Sequence, residues 1–106
     1  MSLEYSSSVR SVKERVLGKI TVLQDAAVAI GNGTAVRPVG AKGCLIVSGI
    51  TTATIKVEVS HDDITYEQLG ADITADGATT IDTPAIYLRA RISAWTSGTI
   101  SARYIE

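Results

Sequence analysis

The chain has 106 residues and a formal net charge of −1, which bounds it to one domain with a single modest core and removes any whole-chain electrostatic case for nucleic acid. Hydrophobic residues make up 45% of the chain but aromatics only 5%, and Phe is absent, so the core must come from Val, Ile, Leu and Ala, whose β-branched members favour strands. One cysteine excludes an intrachain disulfide and a Cys-rich metal site, and no apolar run approaches the ~20 residues a membrane-crossing helix needs. The first residues also lack the apolar stretch of a signal peptide. The expectation is a soluble chain made in a reducing cytoplasm, with neither nucleic acid nor membrane as partner.

Residues 1–18 differ from the rest. Met1 to Ser8 is polar apart from Leu3 and Tyr5, and Val9, Val12, Val16 and Leu17 then recur around Arg10, Lys13, Glu14 and Arg15. That spacing suits one or two turns of amphipathic helix with Ser8 as its cap, too short to be stable alone. Residues 1–20 carry four basic against two acidic side chains, whereas the remainder carries six against nine. The reading is a short, basic, partly helical N-terminal arm over 1–18, followed by a β domain over 19–106.

In that domain Ile20 and Val22 alternate with polar residues, Gln24-Asp25 marks a turn or bulge, and Gly31-Asn32-Gly33 is a strong turn signal. Thr34 to Arg37 reads as a further strand ended by Pro38, which cannot donate to a ladder. Residues 44–47 are continuously apolar, the pattern of a central strand covered on both faces, with Cys44 as a buried small hydrophobe. Residues 48–52 connect this strand to Ala53-Thr54-Ile55-Lys56-Val57-Glu58-Val59, where Ile55, Val57 and Val59 share one face and Lys56 and Glu58 the other. Ser60-His61-Asp62-Asp63 is a polar turn, Tyr66, Gln68 and Leu69 belong to a short strand, and residues 70–77 form a loop before Thr79-Thr80-Ile81-Asp82.

After Pro84, Ile86, Leu88, Ala90 and Ile92 share a face opposite Tyr87, Arg89, Arg91 and Ser93. Residues 94–98 then turn the chain into a last strand where Ile100, Ala102 and Tyr104 point one way. About eight short strands separated by turn signals predict an all-β fold, a small antiparallel β-sandwich of jelly-roll-like type.

No acid, base and nucleophile converge along this sequence. His61 next to Asp62 and Asp63 could be a poised base, but adjacent turn residues rarely place a carboxylate usefully against the ring, so a solvated turn histidine is expected. Glu58, Asp62 and Asp63 match no calcium-loop spacing. Arg89, Arg91 and Arg103, with Lys56, lie on outward positions, where cross-strand pairing with acidic neighbours such as Glu58 is the ordinary explanation. Trp95 is expected at a hairpin tip, either anchoring an interface or packing over the domain end. The expectation is a non-enzymatic protein with no metal and no cofactor.

Residues 54–70, Thr-Ile-Lys-Val-Glu-Val-Ser-His-Asp-Asp-Ile-Thr-Tyr-Glu-Gln-Leu-Gly, resemble a pattern common in small tailed-bacteriophage virion proteins. There an alternating strand leads into a Ser-x-Asp-Gly-x-x-Trp-like turn and a short strand ending Leu-Gly. Ile73 to Gly77, Tyr87-Leu88-Arg89 and Thr96 to Ile100 match later landmarks in order, so the resemblance spans residues 33–105. Asp63 stands where the pattern usually has Gly, and Tyr66 replaces its Trp; Asp tolerates the left-handed conformation and Tyr keeps an aromatic plug.

The resemblance implies a structural component of a phage particle, such as a capsid decoration protein, a head-fibre base or a neck or tail accessory. It would be located in the virion, with the major capsid protein or other virion proteins as partners. The contact is expected in the arm, at Tyr5, Val9, Arg10, Val12, Lys13, Arg15 and Val16, with Trp95 as a second point. Edge strands near Pro38 are compatible with a homo-oligomer. The alternative is a carbohydrate- or host-surface-binding module with a shallow glycan site near Trp95, Tyr66 and His61.

Overall fold

A computed structural model describes residues 19–40, 42–83 and 85–106. The expected arm, its helix, Ala41 and Pro84 lie outside the described residues. Five strands form one antiparallel sheet: β1 (Ile20–Ala27), β2 (Gly43–Ser60), β3 (Glu67–Gln68), β4 (Gly77–Ile81) and β5 (Tyr87–Ile105). Their order is β1-β5-β2-β3, with β4 also on β2, and none of the described residues is helical.

All-β and antiparallel is therefore what the chain adopts, but with five strands rather than eight. Residues 48–52 and 94–98, expected to separate strands, lie inside β2 and β5, which pair from Cys44–Ile105 to Ser60–Tyr87. Gly49 and Gly98 have φ of +84° and +117°, and they make bulges in a continuing ladder instead of turns. Register shifts crowd into this stretch, between Ser48 and Ile50, Ile50 and Thr52, Thr52 and Ala53, and Thr54 and Ile55, where bulges add twist and bending. The expected strand at 34–37 is reduced to a single bridge, Val36 with Leu88.

These bulges double the sheet over. Gln24 pairs with Ala102 in the β1–β5 ladder, yet its side-chain amide donates to the Ala90 carbonyl at 2.8 Å. One ladder rung plus a Gln side chain bridges at most roughly 15 Å, whereas the twelve residues from 90 to 102 would span about 40 Å if straight. β5 must fold back, and β2, paired along it, folds back too. The Thr34 amide reaching the Leu23 carbonyl at 2.9 Å adds a second tie across the fold.

Doubling explains the core. Leu45, Val47, Ile100, Ala102 and Tyr104 from one half and Ile55, Val57, Leu88, Ala90 and Ile92 from the other join Leu23, Val36 and Ile81 in one buried cluster. The alternation expected over 55–59, 88–92 and 100–104 supplies these inward rows. Each large side chain so buried contributes about 1.5–3 kcal/mol. Gln24 is buried among them and satisfies two carbonyls, Ala90 and Gly31; its bulge, one of the two readings of Gln24-Asp25, is visible in the shifted β1–β5 register.

Because a Cβ at Gly49 would overlap the Thr99 carbonyl, and one at Gly98 would stand 2.5 Å from the Gly49 oxygen, alanine at either position should cost about 2–4 kcal/mol of unfolding free energy in urea melts. Gly77→Ala, with φ unstrained and no atom within 4 Å of the added carbon, should stay within about 1 kcal/mol of the parent.

Candidate functional site

The two halves of the doubled sheet present outer faces of opposite character. In the half carrying residues 54–60 and 87–93, the outward side chains form a closed polar network. Glu58 is buried on this face beneath Arg89 and Arg91, whose Nε atoms donate to its two oxygens at 2.8 and 3.0 Å, the cross-strand pairing expected for these two arginines. Burial alone would raise the Glu58 carboxyl, but the hydrogen bonds and charges of the two arginines outweigh it and hold it below its ordinary value. Lys56 reaches Asp72 at 2.8 Å and Gln68 at 3.4 Å, and Lys56 and Gln68 hold the Asp72 carboxyl low.

The Arg89 guanidinium also stacks 3.7 Å over the Tyr66 ring, whose hydroxyl donates to the Asp63 carboxylate. Burial, then the Asp63 contact, push the Tyr66 phenol up to about 12. Asp63 has a φ of +61°, the left-handed conformation that Gly would adopt.

The Ser60–Asp63 turn is built by its own polar side chains. The Ser60 hydroxyl accepts from the amides of Asp62 and Asp63 and donates to Asp62 Oδ1 at 2.9 Å, and that oxygen also accepts from Ile64 and Thr65 at 2.9 Å each. Those amides, then the hydroxyl, pull the Asp62 carboxyl down to about 2. His61 points into solvent, 3.8 Å from Asp62, so the carboxylate beside it belongs to the turn. Glu58, Asp62 and Asp63 are each engaged elsewhere, and among the described residues no three His, Cys, Asp or Glu side chains converge on a metal position.

Clefts open on the surface of the described residues. One of about 600 Å³ is lined by Val59, Ser60, His61, Thr65, Glu67 and Ile86, among others. The other, about 290 Å³, lies at the bend among Thr51, Thr52, Thr54, Thr74, Trp95 and Thr96. Trp95 sits mid-strand rather than at a hairpin tip. It is half-buried against the core, and its indole N–H donates to the Gly98 carbonyl at 3.0 Å. It therefore braces the bulge that bends β5. The expected glycan cluster is not assembled: His61 lines the first cleft, Trp95 the second, and Tyr66 neither. The arm positions Tyr5, Val9, Arg10, Val12, Lys13, Arg15 and Val16 lie outside the described residues.

The outer face of the other half is apolar. Cross-strand register aligns Ile20, Ile105, Cys44 and Thr80 in one row and Val22, Arg103, Ile46 and Ala78 in the next. Ile20 is 62% exposed, Ile46 40% and Val22 39%, while Cys44 and Ile105 are half-buried. The expectation that residues 44–47 are covered on both faces is thus corrected among the described residues: Leu45 and Val47 point into the core, but Ile46 looks outward and is exposed. Cys44 belongs to that outward row, between Ile105 and Thr80, which is why it is only half-buried. Antiparallel sheets commonly turn a polar face to water, and these two exposed rows depart from that pattern. Among the described residues, this face lies next to the strand that continues from the arm.

Among the described residues, the class these features define is an all-β one built on one antiparallel sheet folded over a single core, with one self-paired polar face and one exposed, mainly apolar face. No family model matches it and no curated protein matches it. Among solved structures, the crystal structure of the SPBc2 prophage-derived protein YomS is similar, with a TM-score of 0.66 and 15% identity over 84% of this chain and 93% of that one. At that identity the likeness is one of fold.

The depressed Glu58 value sets a sign for acid sensitivity. Its contribution is complete above the ordinary glutamate value near ~4.3 and is lost as pH falls through the lower folded value. Glu58→Gln should lose about 1.5–3 kcal/mol at pH 7, where two charge-assisted bonds are weakened, and show a flatter stability profile below pH ~4 than the parent in urea melts.

Proposed function

We propose that this protein is a non-enzymatic structural component of a bacteriophage particle, a capsid decoration or head or neck accessory protein held on the virion surface by its N-terminal arm. The observation that carries the reading is the fold shared with a prophage-derived protein across 84% of the chain, which agrees with the virion-protein landmarks at residues 54–70 and 87–100. The doubled sheet serves as a small, rigid sandwich, and its Lys56–Glu58–Arg89–Arg91 face is closed by internal pairing rather than left free for a ligand. The apolar face beside the arm is the side from which attachment is organised. Modest contacts repeated over many copies on a lattice would be made strong by avidity.

Under this reading, deleting residues 1–16 leaves a folded β body that no longer sediments with particles lacking the endogenous protein. The body's integrity is read by far-UV circular dichroism and its attachment by co-sedimentation. Undiminished particle binding by the truncated protein would overturn the assignment of the contact to the arm.

A further inference from the structure

We propose that β4 is an acceptor edge for an extended segment of another protein, one carrying a cationic side chain at each end of its pairing stretch. The inference goes beyond the attachment reading and draws nothing from the arm.

Backbone direction comes first. Lys19 and Glu106 exchange both of their backbone hydrogen bonds, at 2.9 and 3.0 Å, at the rim of the apolar face. Backbone groups alternate sides along a strand, so Tyr104 also faces β1, while Arg103 and Ile105 face β2. Their partners Ile46 and Cys44 therefore bond to β5, and Leu45 and Val47 bond to β4 through Thr79 and Gly77. Ala78 and Thr80 are left with N–H and C=O groups directed off the sheet, and no described residue pairs with them there.

The other edges are blunted. β1 carries two register shifts, a positive φ at Ala26, and the Thr34 amide on its Leu23 carbonyl. β3 is two residues long and includes Glu67. The segment beside β5 makes only single bridges, at Gly31 and Val36, before Pro38. β4 has none of these devices: its five residues are uncharged, keep an unbroken register and are exposed as far as Thr80. An edge of this kind is a template for strand addition, in which main-chain bonds supply affinity and alternate side chains supply selectivity.

Charge selects the occupant. Asp76 and Asp82 stand just beyond the two ends of β4, and the Ile50 amide holds Asp76 in place at 2.8 Å. Residues 57–88 contain seven acidic side chains and no lysine or arginine. Of these, Glu58 and Asp72 are answered by Arg89, Arg91 and Lys56, whereas Asp76 and Asp82 form no ion pair among the described residues. The same two carboxylates disfavour a second copy. Two-fold antiparallel pairing of Ala78 with Thr80 would set Asp76 opposite Asp82 at both ends, and like charges directly opposite destabilise a ladder. A strand with lysine or arginine six positions apart meets both carboxylates instead. Between them, its side chains opposite Ala78 and Thr80 extend the rows of Ile46 and Cys44, where apolar groups fit.

The probe that follows is the acetylated and amidated peptide Lys-Thr-Val-Thr-Val-Thr-Lys, titrated into isotope-labelled full-length protein and followed by NMR. The Ala78 and Thr80 amide signals should shift saturably. Binding should be at least about tenfold weaker for the same peptide with aspartate at both ends. A similar loss is expected for Thr80→Pro, which removes an outward N–H but no bond to β2, so its circular dichroism should match the parent. If that variant misfolds, methylating the two valine nitrogens of the peptide breaks the same bonds from the other side.

No saturable shift at Ala78 and Thr80 overturns the proposal, as does equal affinity for the two peptides or binding that survives valine N-methylation. Shifts of these amides that grow with protein concentration alone also overturn it, because they assign the edge to a second copy. None of these outcomes bears on particle attachment by the arm, which is read separately by co-sedimentation.

Discussion

Everything in this molecule depends on one ladder, the pairing of β2 with β5 over the full length of both strands. A straight ribbon of that length could bury one face only if a second layer were supplied from elsewhere, and the remaining strands are too short to provide it. The chain instead bends the ribbon at Gly49 and Gly98 and uses each half to cover the other. The bend is held by backbone conformations open to glycine, by the Trp95 indole on the Gly98 carbonyl, and by Gln24, which spans the halves from inside. Core, clefts and surface character follow from that choice.

The doubling also separates roles. One outer face is locked by charge pairing, with a buried carboxylate held ionised between two arginines and an aromatic ring beneath one of them. Removing its central glutamate would strand two cations, so the face resists change but has little free bonding capacity to offer. The other outer face is mainly apolar in the rows through Ile20 and Val22, with Thr80 and Arg103 as their polar members. A self-paired polar face and a largely apolar one thus lie at different ends of the same two strands.

Local pattern made much of this legible. The alternation at Ile55, Val57, Leu88, Ala90, Ile92, Ile100 and Tyr104 showed which side chains point inward, and Ser60-His61-Asp62-Asp63 announced its turn because the stabilising bonds are short-range. Gly49 and Gly98 were misread for the opposite reason. A glycine within a strand pattern looks like a turn unless its cross-strand partner is known, and these two lie 49 residues apart. The apolar face was hidden in the same way: Ile20, Val22 and Ile46 become neighbours only through register, and in the sequence the run at 44–47 looks like burial on both sides. Trp95 was placed at a hairpin tip because the bulge it braces was not visible.

The Lys19–Glu106 pairing at the rim has a mechanical consequence. In an antiparallel ladder the hydrogen bonds run perpendicular to the strands. A pull that draws the arm away from Glu106 therefore loads the β1–β5 bonds one at a time and peels them from that end, starting with Lys19. A pull that slides β1 lengthwise along β5 instead loads their bonds in parallel, in shear. The β1–β5 edge is thus soft to a force that splays Lys19 from Glu106 and stiff to one that slides β1 along β5.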